Sequence, residues 1–173
     1  MVDIVNILAT GDLNREIDLE QAVQDIECSN YNPNTFPGLI LRSSFPGTVL
    51  LFKSGKYSIT GCKNEKEIEI TETEFIETLE QLGIRLDNNE LATIRNIVCT
   101  GNLDIELNLS SICIELGLES VEYEPEQSPF LIYRPPLRDC VITISASGKV
   151  VITGVISKNV AEDAFEDLRK ELY

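Results

Sequence analysis

Side chains that form hydrogen bonds recur at matched positions in the two halves of the chain. Asn6 and Asn96 lie in the similar stretches VNILATGDL and RNIVCTGNL, and Thr60 and Thr153 lie in SGKYSITG and SGKVVITG. Amides and hydroxyls recognise a polar partner by donating and accepting hydrogen bonds. The chemistry that this pattern indicates is binding.

Catalysis is not indicated by the other residue types. The chain has no histidine, the usual general base, and carries neither a glycine-rich phosphate loop nor a nucleophile elbow. Its 5 cysteines are odd in number and never spaced as CxxC, which argues against a disulfide framework and a zinc site. We expect buried, reduced thiols, no enzyme activity, no metal and no cofactor.

The sequence also indicates the cellular compartment in which the protein works. No run approaches the roughly 18 apolar residues of a membrane helix, and the start, MVDI, lacks the basic residues of a signal peptide. We therefore expect a cytoplasmic protein that does not cross a membrane.

The chain contains two copies of one unit. YNPNTFPGLILR (31–42) matches YEPEQSPFLIYR (123–134), and the two stretches quoted above repeat at similar offsets. Such self-similarity fixes the architecture before any residue is interpreted. We predict one copy at 1–86 and one at 87–173, joined near residues 87–90.

Each copy has the pattern strand, helix, four strands, helix. In the first copy we predict strands at 4–9, 30–32, 39–42, 49–52 and 57–60, with helices at 18–26 and 65–82. Asp18 is a predicted N-cap, and the second copy ends in a helix at 159–172. The predicted inward-facing residues of the two long helices are Ile68, Phe75, Ile76, Leu79 and Leu82, then Val160, Ala164, Phe165 and Leu168.

The predicted fold class is α+β, with helices on one face of an antiparallel sheet and the other face open. Alternation in VLLF places Leu50 and Phe52 on the open face, whereas the second copy has Thr143 and Ser145 there. The other predicted open-face residues are Asn6, Leu8, Lys56, Ser58 and Thr60, then Asn96, Val98, Lys149, Val151 and Thr153. Polar groups around apolar ones suit a flat, partly apolar partner, of which the DNA minor groove is one.

These motifs resemble the TATA-box-binding protein family of archaea and eukaryotes over essentially the full chain. The similarity rests on NPNTFPGLILR, LLFKSGK and ITGCK, then NIV, YEPEQ, LIYR, SGK and ITG. It implies a pseudo-symmetric saddle with a curved sheet and convex-face helices, whose concave sheet binds the minor groove of A·T-rich promoter DNA to initiate transcription. The acidic charge and the short N-terminus resemble the archaeal branch.

The resemblance also implies residue roles. Phe36 and Phe52 match a pair of wedges that separate base steps, a mechanism for which this family is a standard example. The second copy has Ser128 and Ser145 at the wedge positions, and Phe130 is a candidate replacement. Asn6 and Asn96 match asparagines that accept contacts from base edges, with Thr60 and Thr153 beside them. The matched phosphate-contacting cations are Arg42, Lys56, Lys63, Arg134 and Lys149.

A protein partner is implied by the same resemblance. Glu124 and Glu126 match residues that dock transcription factor B, and Gln127 replaces a usual leucine. RNA polymerase would then be recruited indirectly. The alternative is a protein-interaction module that kept the fold but lost autonomous DNA bending, because both second-copy wedges are absent.

The net charge of −15 argues at first against a nucleic-acid partner. Residues 1–86 hold 7 basic and 14 acidic side chains, and residues 87–173 hold 7 and 15, so acid is shared evenly. We expect local cations to serve the phosphates while the helical side stays acidic, and we expect the net charge to weaken DNA binding at low salt.

Overall fold

The computed structural model describes residues 1–86 and 89–172, and it groups them into two compact units. The first-copy unit is Asn6–Arg95, and the second-copy unit is Met1–Val5 with Asn96–Tyr173. The boundary between the units falls within two long strands, β1 (Val2–Asp12) and β6 (Glu90–Asn102). The predicted joint between the copies includes Asp87 and Asn88, which lie outside the described residues, so the boundary at 86/87 stays a prediction.

The first-copy unit is an antiparallel sheet with two helices packed against it. Its elements besides β1 are α1 (Leu19–Asp25), β2 (Ser29–Asn30), β3 (Gly38–Leu41), β4 (Thr48–Phe52), β5 (Lys56–Cys62) and α2 (Glu65–Gln81). The strand order is β2-β3-β4-β5-β1. Helix α1 contacts β3, and α2 contacts β4 and β5.

The second-copy unit repeats this arrangement with the strand order β6-β10-β9-β8-β7. Its elements besides β6 are α3 (Leu109–Glu115), β7 (Val121–Glu122), β8 (Phe130–Tyr133), β9 (Val141–Ser145), β10 (Lys149–Val155) and α4 (Lys158–Glu171). Helix α4 contacts β10. No helix among residues 1–86 and 89–172 is long and apolar enough to cross a membrane.

The core of each unit lies between its sheet and its helices. Along β4 and β9 every second residue is buried and the residues between are half-buried, as strand alternation predicts. Val49, Leu51, Ile142 and Ile144 are fully buried. Phe75 of α2 and Phe165 of α4 cover the sheets from the helical side.

Side-chain caps explain where the helices begin. The predicted cap Asp18 accepts hydrogen bonds from the backbone N–H groups of Glu20 and Gln21, both at 3.1 Å. Asn64 and Glu67 form a reciprocal cap, because Asn64 Oδ1 accepts from Glu67 N–H at 2.9 Å and Glu67 Oε2 accepts from Lys63 N–H at 2.7 Å. Such caps satisfy backbone donors that a helix leaves unpaired.

Three predicted burials are wrong, each for a local reason. Leu82 is 37% exposed because it is the C-cap of α2, beyond the last turn that touches the sheet. Val160 is 38% exposed in the first turn of α4, where Ala161 takes the inward position. Cys28 is exposed in the turn after α1, with φ of +61°, whereas the other four thiols are buried. The strand predicted at 30–32 is also displaced, to Ser29–Asn30.

A buried carboxylate ties helix α2 to the sheet of the first-copy unit. Glu72 is only 8% exposed, and it accepts hydrogen bonds from the Tyr57 hydroxyl and from the Ala92 backbone N–H. Burial and the adjacent carboxylate raise the pKa of Tyr57 above its usual range. In the second-copy unit Tyr133 donates at 2.9 Å to Glu171, which is exposed. If the tyrosine hydroxyl is lost, water can replace it at the exposed Glu171 but has little access to the buried Glu72.

We expect Tyr57→Phe to destabilise the protein by about 1–3 kcal/mol, because it removes a donor from a buried carboxylate. Tyr133→Phe is the matched control and should cost less, since water replaces the lost donor at Glu171. The measurement is the free energy of unfolding in urea, followed by circular dichroism at equal denaturant slopes. Equal losses in the two variants would contradict this account of Glu72.

The cysteines give a second prediction. Burial raises the pKa of the Cys62, Cys99 and Cys140 thiols, because desolvation disfavours the thiolate. An aromatic disulfide reagent at neutral pH should therefore label Cys28 quickly and the buried thiols only on unfolding. Cys28→Ser should remove the fast phase, and a fast phase of more than one thiol equivalent would show that a second thiol is accessible.

Candidate nucleic-acid interface

Each unit has a sheet face that its helices do not cover, here called the first and second open faces. The first open face comprises the half-buried residues Asn6, Leu8, Leu50, Phe52, Ser58 and Thr60 with exposed Lys56. The second comprises half-buried Asn96, Val98, Thr143, Ser145, Val151 and Thr153 with exposed Phe130 and Lys149. The structure thus brings the predicted strand residues of each copy to one side of that copy's sheet.

A glycine bulge fixes the asparagine of the first open face. The register of β1 against β5 shifts between Ile7 and Ala9. The adjacent Gly61 has φ of +89°, a backbone angle that residues other than glycine rarely adopt. The Gly61 N–H donates to Asn6 Oδ1 at 2.7 Å. The Thr60 hydroxyl donates to the same oxygen at 3.2 Å.

The second open face repeats this geometry. Gly154 has φ of +86°, and its N–H donates to Asn96 Oδ1 at 2.8 Å. The Thr153 hydroxyl lies 3.3 Å from the same oxygen and 3.2 Å from Asn96 Nδ2. In both units the amide oxygen is held by the protein, and the amide nitrogen, which carries two hydrogens, keeps at least one N–H for a partner even where Asn96 Nδ2 donates to Thr153. The predicted role of these asparagines at base edges stays a prediction, and the geometry favours donation by the amide nitrogen over acceptance by the amide oxygen.

The first open face is apolar at its centre. Leu50 lies opposite Ile40 on β3 and Ser58 on β5. The half-buried rings of Phe36 and Phe52 form an edge-to-face pair with centroids 5.8 Å apart. Edge-to-face contact is a favoured arrangement of two aromatic rings. The two predicted wedges are thus brought together as a single aromatic projection.

The second open face carries one aromatic ring where the first carries two. Phe130 lies opposite Ser145 across β8 and β9 and is 46% exposed. A depression of about 450 Å³ lies beside the ring, lined by Phe130, Thr143, Ser145, Ser147, Lys149 and Val151. Strand alternation alone did not decide on which side Phe130 would lie, and the structure places it on the open face.

The predicted cations differ in their surroundings. Arg42, Lys56, Lys63 and Lys149 are exposed. Arg134 forms an ion pair with Glu122, with 3.3 Å between Nη1 and Oε1 and both side chains more than half exposed. Exposed pairs of this kind contribute little to stability, so Arg134 can exchange Glu122 for another anion.

Several open-face residues were missed at the sequence level. Ile40 and Ile132 are half-buried between buried neighbours, and Thr10 follows Asn6 and Leu8 along β1. The same strand alternation that identified Leu50 would have found them. Arg95 was not findable in this way, because its position follows from a contact between distant segments: its Nε donates to Thr10 Oγ1 at 2.9 Å.

The predicted protein-docking residues lie on an exposed turn. The N–H groups of Gln127 and Ser128 both donate to the Glu124 carbonyl at 2.9 Å. Glu124, Glu126 and Gln127 are exposed. The first copy has the same turn, in which the N–H groups of Thr35 and Phe36 donate to the Asn32 carbonyl.

Comparison with known proteins matches both copies to one family. The sequence model described as "Transcription factor TFIID (or TATA-binding protein, TBP)" matches residues 1–82 and 92–173. The chain is 41% identical over 172 residues to TATA-box-binding protein D of Halobacterium salinarum, covering 99% of this chain and 92% of that protein. It is 38% identical over 172 residues to the TATA-box-binding protein of Archaeoglobus fulgidus, covering 99% and 94%.

A solved structure agrees in fold and in sequence. The TATA-binding protein of Methanococcus jannaschii aligns with a TM-score of 0.82 at 41% identity, covering 98% of this chain and 97% of that one. The predicted fold class and the predicted family are therefore confirmed. With two family matches that span nearly all of its length and relatives of about 40% identity, this chain belongs to the TATA-binding protein family.

Proposed function

We propose that this member of the TATA-binding protein family is a transcription initiation factor that binds the minor groove of A·T-rich promoter DNA through its two open faces. The observation that carries the proposal is the paired asparagine arrangement. Asn6 and Asn96 each have the amide oxygen held by a bulge glycine, and each amide nitrogen, with two hydrogens, keeps at least one N–H to donate although Asn96 Nδ2 also contacts Thr153.

Donors are what an A·T-rich minor groove requires. A·T pairs present only acceptors there, adenine N3 and thymine O2, whereas G·C pairs add the guanine N2 amino group, which is a donor. The amide nitrogens therefore match A·T edges and oppose G·C edges. The neighbouring hydroxyls of Thr60 and Thr153 and the apolar Leu8, Leu50, Val98 and Val151 complete the surface that we assign to the groove floor.

The aromatic pair of the first open face is suited to deform the DNA. Phe36 and Phe52 project together from the sheet, and apolar wedges of this kind enter between base steps and partly unstack them. The unstacking costs about a few kcal/mol per step, which the wider contact with bent DNA offsets. We assign Phe130 to the same surface in the second-copy unit.

A small set of basic side chains is available to bind the DNA phosphates. We assign phosphate contacts to Arg42, Lys56, Lys63, Arg134 and Lys149, all of them exposed. The remaining surface is strongly acidic, with a net charge of −15 for the chain. Long-range repulsion from that charge is screened by salt within about 10 Å at 0.1 M, so binding depends on local cations more than on the total charge.

We assign the acidic turn of the second copy to transcription factor B, with RNA polymerase recruited through that factor. Glu124 and Glu126 project from the turn into solvent, where a basic partner can reach them. The work would take place at promoters in the cytoplasm of a cell without a nucleus. The alternative of an interaction module or regulator that has lost autonomous DNA bending is not favoured, since the relatives are named for TATA-box binding.

The DNA-binding proposal is tested by a mobility-shift titration. We expect a retarded complex with an A·T-rich TATA duplex and a stronger one when transcription factor B is added. The control duplex carries G·C pairs in the same segment, whose guanine amino groups oppose the asparagine donors, and it should shift weakly. Absence of a shift on the TATA duplex with and without transcription factor B would refute the proposal.

The wedge assignment is tested by energy transfer between dyes at the two ends of the duplex. Phe36→Ala and Phe52→Ala should each remove most of the distortion on the first-copy side, because the pair acts as one projection. Phe52→Leu is the matched control and should retain distortion, since leucine also serves as a wedge. Unchanged transfer in both alanine variants would show that the rings stay outside the base stack.

A further inference from the structure

The two open faces differ in which strand of one cross-strand pair carries the large side chain. On the first face Gly38 lies opposite Phe52, and on the second Phe130 lies opposite Ser145. The large and small residues have exchanged strands. The ring of the second open face thus comes from β8 rather than from β9.

The exchange has a steric reason. A Cβ atom at Gly38 would lie 2.7 Å from the Phe36 ring, closer than real Cβ contacts, and 3.0 Å from the Phe52 ring, tighter than most of them. The edge-to-face pair of the first face is therefore accommodated by glycine at position 38 and crowded by any side chain there. In the second copy, Ser128 and Ser145 stand where the first copy has its two phenylalanines. The space that those rings would fill admits the Phe130 side chain.

The two serines are held by the protein itself. Ser128 Oγ accepts a hydrogen bond from the Phe130 N–H at 3.3 Å. Ser145 Oγ accepts from the Lys149 N–H at 3.2 Å and lies 2.9 Å from the Ser147 hydroxyl. Both hydroxyls thus stabilise their own turns. Phe130 is the exposed aromatic residue of strands β6–β10, since the other, Tyr133, is buried.

We propose that Phe130 is the DNA-deforming side chain of the second open face, a lone wedge in place of an edge-to-face pair, and that this difference orients the protein on its DNA site. The inference rests on the DNA-binding function proposed above. Two rings present a larger apolar wedge to a base step than one ring does. The first-copy unit therefore takes the half of the site with the more deformable pyrimidine–purine step, such as TA.

The wedge part is tested with two substitutions at one position. Phe130→Gly should lower affinity for the TATA duplex about tenfold and reduce energy transfer between the duplex ends, because a stacked aromatic ring is lost. Phe130→Leu is the matched control and should keep most of both. Thermal unfolding of each variant checks that the half-exposed side chain is not needed for folding.

The orientation part uses the exposed thiol of the first-copy unit. An iron chelate attached to Cys28 cleaves DNA near that unit, and the duplex carries a TA step in one half-site and a stiff A-tract in the other. We expect cleavage on the TA side only. Ser128→Phe/Phe130→Gly/Ser145→Phe, which rebuilds the aromatic pair on the second face, should give cleavage on both sides.

Each outcome decides a different statement. No complex with the unsubstituted protein would overturn the proposed function and this inference with it. A complex whose affinity and distortion are unchanged by Phe130→Gly would overturn the wedge and leave DNA binding intact. Cleavage on both sides by the unsubstituted protein would overturn the orientation, and this readout does not depend on whether the triple variant folds.

Discussion

Side-chain alternation along the strands is the constraint on which the rest of this structure depends. Helices cover only one face of each sheet, so every strand must supply the core with one set of residues and leave the other set uncovered. Along β4, Val49 and Leu51 fill the core while Leu50 and Phe52 remain half-buried. A shift of one residue in register would exchange the two sets. The binding surface and the core are therefore fixed together.

This constraint explains what could be predicted from the sequence. The period of two placed Leu50 and Thr143 correctly, and the repeat supplied a second reading of the same pattern. Helix ends were less predictable, because periodicity does not say where contact with the sheet stops, and Leu82 was misplaced for that reason. The direction of the Asn6 amide depends on a bulge glycine 55 residues away, which no local pattern contains.

The two copies also differ in how strongly stability depends on a tyrosine–carboxylate contact. Glu72 brings a carboxylate into the core of the first-copy unit, where Tyr57 and a backbone amide satisfy it. The second-copy unit has Val150 at the position of Tyr57, and its own tyrosine–carboxylate contact, from Tyr133 on a different strand, goes to Glu171, which stays in water. A buried charge is tolerated only when its partners are complete, so the first contact allows little change and the second allows much. Two units of one fold thus have different tolerance to substitution.

The glycine beneath the aromatic pair has a consequence for the history of the duplication. If both copies began with two rings over a glycine, a phenylalanine could not have entered position 130 first, because even a single carbon at Gly38 meets both rings. Loss of the rings at positions 128 and 145 removes this obstruction, so sterics favour the serines before the phenylalanine. Returning phenylalanine to position 128 or 145 while Phe130 is in place meets the same crowding, whereas returning position 130 to glycine meets none.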